Sequence, residues 1–100
     1  MGASGTTTID FGAFPGKSDT SAAVTGQAGI LSNSLVEAWI RPVATADHSA
    51  DEHLVEELSV MAGNIAVGTG FTIYGIHKPA MSHGADTRLY GLWTVSWAWN

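Results

Sequence analysis

The densest run of side chains able to do chemistry is Asp47-His48-Ser49-Ala50-Asp51-Glu52-His53, with two imidazoles and three carboxylates in one short stretch. Imidazole nitrogens and carboxylate oxygens bind zinc and other transition metals, so His48, Asp51 and His53 are the candidate metal ligands. The spacing is not the His-Glu-x-x-His pattern, in which successive helical turns bring two imidazoles to one side. Here the run itself would have to curl. The alternative is a solvated loop whose Asp and Ser side chains bond nearby backbone amides. Asp47, His48 and Ser49 are also the residue types of a hydrolase triad, but a triad needs three side chains aligned in space, which adjacency does not provide. Glu56-Glu57 is a carboxylate pair of the sort glycoside hydrolysis uses, yet neighbours on a strand face opposite ways and on a helix diverge. Gly68-Thr69-Gly70 lacks the Lys-Ser/Thr ending and following helix of a phosphate loop. No catalytic set and no cofactor are expected.

Two further histidines, His77 and His83, flank a polar stretch and are candidate partner-binding residues. The four tryptophans carry more information. Trp93, Val95, Trp97 and Trp99 alternate with Leu92, Thr94, Ser96 and Ala98, so on a strand they share one face. Burying one large apolar side chain is worth roughly 1.5–3 kcal/mol, and tryptophan is also enriched at binding hot spots. Trp97 and Val95 are expected in the core. Trp39 and Trp99, nearer strand ends, are expected at an interface. Exposed aromatic rings also stack on sugars, which keeps a carbohydrate-binding module in view.

The elements that must position these residues read as strands. Residues 1–8 are small, polar and rich in Gly and Thr, the composition of a flexible arm. Ile9, Phe11 and Ala13 alternate between Thr8 and Phe14, a short strand that Pro15-Gly16 ends. A second strand is expected over Ser21–Gln27, weakened by Gly26 and Gly29. A third covers Leu35–Ile40 and stops at Pro42, which has no N–H to donate. A loop follows from Thr45 to about His53. Leu54–Ala62 has two readings: a helical stripe behind a Ser49…Glu52 capping box, or a strand with Leu54, Leu58 and Val60 on one face; strand is favoured. Phe71–His77 is a strand with Phe71, Ile73 and Gly75 on one face, and Lys78–Tyr90 reads as a long loop. With the final strand this is an all-β chain: a 9–100 antiparallel β-sandwich or barrel behind a 1–8 arm.

Composition bounds the function. Of the 100 residues, 45% are hydrophobic and 13% charged, which suits a folded domain rather than a disordered chain. Net charge is −5, and the four basic residues Lys17, Arg41, Lys78 and Arg88 are scattered. Nucleic-acid binding depends on clustered Lys and Arg displacing phosphate counterions, so neither nucleic acid nor an anionic membrane is expected as a partner. There is no cysteine, which excludes disulfides, thiolate catalysis and cysteine-ligated zinc. No apolar run approaches the ~20 residues of a membrane-spanning helix, and the polar N-terminus does not read as a signal peptide. A small domain without staples often leans on another subunit, so a homo-oligomer is expected.

Several segments together carry a resemblance: Thr8-Ile9-Asp10-Phe11-Gly12 with Val24-Thr25-Gly26-Gln27, Ala46–His53, Gly68–Gly75, and the ending Trp93-Thr94-Val95-Ser96-Trp97-Ala98-Trp99-Asn100. They resemble a family of short proteins encoded by tailed bacteriophages. The resemblance implies a non-enzymatic virion component assembled in the host bacterial cytoplasm. A capsid decoration (cement) protein contacting the major capsid protein is the first expectation, and a tail or other virion subunit the second. It transfers no catalytic residue.

Overall fold

The computed structural model describes residues 2–79 and 88–100. The chain is all-β: strands β1 (Ala3–Asp10), β2 (Asp19–Val24), β3 (Val36–Ile40), β4 (Leu58–Ala66), β5 (Gly70–His77) and β6 (Leu92–Trp99), with one short helix α1 (Ala50–Val55). The strands form two antiparallel three-stranded sheets, ordered β1-β6-β3 and β2-β5-β4.

The tryptophan strand β6 is the centre of the first sheet. Its register sets Ala3 opposite Trp99, Gly5 opposite Trp97, Thr7 opposite Val95 and Ile9 opposite Trp93. This corrects the flexible arm: the small polar N-terminal residues are a strand. A small residue is needed there because a Cβ on Gly5 would lie 2.7 Å from the Trp97 ring. The composition that reads as a linker is the complement of large rings on the next strand.

The inward face of the second sheet supplies Val24, Phe71, Ile73 and Leu58, which join Ile9, Phe11, Trp93, Val95 and Trp97 in one buried cluster. Phe71 meets Trp97 edge-on across the two sheets, with centroids 5.6 Å apart. Gly75 lets the two sheets approach closely, since a Cβ there would sit 2.5 Å from Ile9 Cδ1.

The ambiguous middle segment resolves into both elements. The capping box forms: Ser49 accepts from the Glu52 amide, and the Glu52 side chain accepts from the Ser49 amide. The helix ends after Val55, so the expected loop to His53 is half helix, and the strand begins at Leu58. Leu54 is therefore not a strand residue and is exposed. Asn64 adopts a left-handed φ of 52°, where the β4–β5 register shifts between Gly63 and Ala66. That bulge lets the strand continue past Gly63-Asn64 to Ala66.

Candidate functional site

The Asp47–His53 run is tied to the start of β6 by side chains that are already occupied. His48 is buried and lies flat on Trp93, with centroids 3.8 Å apart and planes 19° off parallel. Its Nε2 donates to the Tyr90 carbonyl at 2.6 Å, and its Nδ1 faces Glu52 Oε2 at 2.9 Å. The other Glu52 oxygen accepts from the Ser49 amide at 2.8 Å. That backbone bond, followed by His48, holds the Glu52 carboxyl below its ordinary value of 4.5. Both nitrogens of His48 thus face oxygen atoms of neighbouring groups.

His53 has the opposite pattern. Its Nδ1 donates to the Ser49 carbonyl at 2.7 Å, and its Nε2 accepts from the Thr94 amide at 2.9 Å. These bonds define one neutral tautomer. The reason lies in β3. Arg41 N–H donates to the Thr94 carbonyl at 3.0 Å, but the chain then turns at Pro42, and the Arg41 carbonyl accepts from Val43 instead. The Thr94 amide is left without a strand partner, and His53 supplies it.

The metal-ligand expectation is therefore corrected. Both His48 nitrogens are engaged by Glu52 and the Tyr90 carbonyl, the His53 lone pair is taken by Thr94, and Asp51 is exposed on the first turn of α1. Among the described residues no group of three metal-ligating side chains comes together. The triad types are likewise dispersed: Asp47 Oδ2 accepts from the Leu92 amide at 2.8 Å and Ser49 caps the helix. Glu56 turns to His77, Oε1 to Nε2 at 3.2 Å, and the Glu57 carbonyl accepts from the Lys78 amide.

The partner-binding candidates separate. Trp99 is buried and donates its indole N–H to Gln27 Oε1 at 2.8 Å, so it is a core residue rather than an exposed contact. Its position near the strand end is overruled because β1 and β3 both pair with it, through Ala3 and Val36. Trp39 is 46% exposed on the outward face of the first sheet, in the row Thr6–Ser96–Trp39. His77 is partly buried, and its Nδ1 has no hydrogen-bond partner. His83 lies outside the described residues.

Two further surfaces emerge. On the outward face of the second sheet, Met61 and Tyr74 are register neighbours, both exposed, and border a shallow groove of about 240 Å³ with Ile76 and Asp19. At the end of β1, Asp10, residues 12–14 and residues 90–92 line an open cleft of about 430 Å³ with Asp47. The cue for the first was the Phe71–His77 alternation, which sets Tyr74 and Ile76 on the face opposite Phe71. The second had no local cue, since its walls come from three distant segments. Comparison with protein-family models, with curated proteins and with solved structures gives no match.

Proposed function

We propose that this chain is a non-enzymatic structural subunit that works by associating with other protein subunits. The context we assign is a tailed-bacteriophage virion, with decoration of the capsid as the first role and a tail or other virion position as the second. The observation that carries the associative reading is how the side chains are employed. The histidines and carboxylates most suited to chemistry are spent on internal hydrogen bonds, while Trp39, Met61 and Tyr74 face outward on the two sheets. Exposed aromatic and Met side chains are the currency of protein interfaces. The virion context rests on the family resemblance of the sequence.

Cryo-electron microscopy of the phage particles that encode the chain tests this. Density fitting the chain over the capsid lattice establishes the decorating role, and density on the tail keeps the structural role while moving its place. Absence from the particle overturns it. One observation favours a second reading, a carbohydrate- or ligand-binding module: Trp39 is half exposed between Glu37 and Arg41, which would give a stacked sugar ring hydrogen-bonding neighbours. A glycan panel titrated against tryptophan fluorescence separates the two, since a subunit that acts only by protein contacts leaves the spectrum unchanged.

A further inference from the structure

We infer that the open edge of β1 is where a second copy of this chain docks, adding its own β1 antiparallel and joining the two first sheets into one. This names a partner for the associative role proposed above and so rests on it. Adding a strand to a sheet edge satisfies main-chain groups that otherwise face solvent. Such an edge is also where unwanted pairing starts, so folded chains guard it with charge, proline, bulges or short strands.

The hydrogen-bond phase fixes which groups of β1 are open. The strand stands at the edge of its sheet, beside β6. The Phe11 amide donates to the Gly91 carbonyl at 2.9 Å, which makes Asp10 and Leu92 a non-hydrogen-bonded pair. The Leu92 amide accordingly turns away, to Asp47. By alternation Ala3, Gly5, Thr7 and Ile9 hold the bonds to β6, while the amides and carbonyls of Ser4, Thr6 and Thr8 point to the open side. The Asp10 carbonyl belongs to the same outward series and is met there by Thr20 Oγ1 of β2 at 2.8 Å. Among the described residues nothing bonds the backbone of Ser4, Thr6 or Thr8 on that side, and all three are exposed.

The other edge strands are guarded and this one is not. β2 opens with Asp19, β3 has five residues and carries Glu37, and β4 is broken by the bulge between Gly63 and Ala66. β1 runs for eight residues with no charge before Asp10, no proline and no shift in its register. Charge and shape then select the occupant. Each copy carries a net charge of −5, so two copies can approach closely only through an uncharged segment. A two-fold axis through Thr6 sets Thr6 against Thr6 and Ser4 against Thr8. No like charges are then opposed, small hydroxyl side chains meet across the strands, and the outward amides and carbonyls of all three residues bond reciprocally. A foreign strand would be selected by pockets for its alternate side chains. Ser4, Thr6 and Thr8 line neither the groove beside Met61 and Tyr74 nor the cleft at the end of β1.

The test is light scattering of the full chain over a concentration series up to about 1 mM, a weak-binding limit, with NMR amide exchange on the same samples. The expected result is a doubling of mass, with the Ser4, Thr6 and Thr8 amides passing from fast to slow exchange as the dimer forms. The Gly5, Thr7 and Ile9 amides, bonded to β6, stay slow throughout. Thr6→Pro removes an outward amide but no bond to β6, a position where an edge strand tolerates proline. It should fold, as its spectrum will report, and stay monomeric. Thr6→Lys sets like charges across the two-fold axis and should weaken self-association about threefold, which keeps the test standing if the proline variant does not fold. A monomer at every concentration overturns the assignment. So does a dimer whose Ser4, Thr6 and Thr8 amides still exchange fast, or one that Thr6→Lys leaves unchanged. A monomer in which those amides slow only when the major capsid protein is added overturns the second copy in favour of a strand from that subunit. None of these readings depends on the phage particle, so the edge can fail while the virion role stands, and the reverse.

Discussion

His48 and His53 stand five residues apart, flank the same indole, and do different work. His48 meets two oxygen atoms and bridges α1 to the Tyr90 carbonyl, which also accepts from Trp93 Nε1 at 3.1 Å. His53 replaces a lost strand partner. Substituting His53→Ala leaves the Thr94 amide buried and unbonded, so about 2–3 kcal/mol of stability should be lost, measured by urea unfolding. His53→Asn should recover little, because its shorter side chain does not span from Ser49 to Thr94. Glu52 supplies a pH-dependent contribution. Its folded carboxyl is held below the ordinary value by the Ser49 amide and by His48. That contribution is therefore complete above the ordinary carboxylate range and is lost as pH falls through the lowered folded value. The stability gap between wild type and Glu52→Gln should close as pH is lowered over that window, as a series of urea midpoints will show. A gap independent of pH would mean the carboxylate's charge is idle.

Among the elements, β1 departs furthest from its composition. Thr and Gly dominate it, yet it pairs with β6 along its whole length. The β-branched threonines suit a pleated surface, and Gly5 leaves room for the Trp97 ring. A Gly5→Val substitution forces that ring aside and should cost about 1–3 kcal/mol, the range of core overpacking. Amides of β1 bonded to β6 should exchange with solvent as slowly as those of β5, where a flexible arm would exchange at once. The helix α1 shows the complementary case. Its capping box is local, and local signals are what a sequence displays openly. The box starts the helix but says nothing about its length, which is set where Leu58 must turn inward to pack against Gly75.

For the molecule as a whole, the first and last strands share one sheet, and the core takes side chains from both sheets. Outward-facing apolar residues remain on each: Trp39 on one, Met61 and Tyr74 on the other. If these faces carry association, Trp39→Ser and the pair Met61→Ser/Tyr74→Ser should each lower the assembled mass measured by light scattering. Both variants should cost less stability than Trp93→Ala, a core truncation of the class that loses about 3–5 kcal/mol. Equal assembled mass in all variants would remove both faces from the interface.

Alternation alone was enough to mark the tryptophan strand, the inward set Phe71, Ile73 and Gly75, the stop at Pro42 and the all-β class. Each depends on the two-residue period of a strand or on a missing N–H, both properties of contiguous residues. The Ser49…Glu52 cap was visible for the same reason. Other features depended on residues far apart in the chain. Which strand lies against which made β1 a strand and Trp99 a core residue. The turn at Pro42 orphaned the Thr94 amide, and that distant amide, with Ser49, turned His53 from a candidate ligand into a structural bond. Asp10, Phe14, Asp47 and Tyr90 became neighbours only when the chain closed. A side chain's role follows from which atoms meet its polar groups, and for these residues those atoms belong to segments tens of positions away.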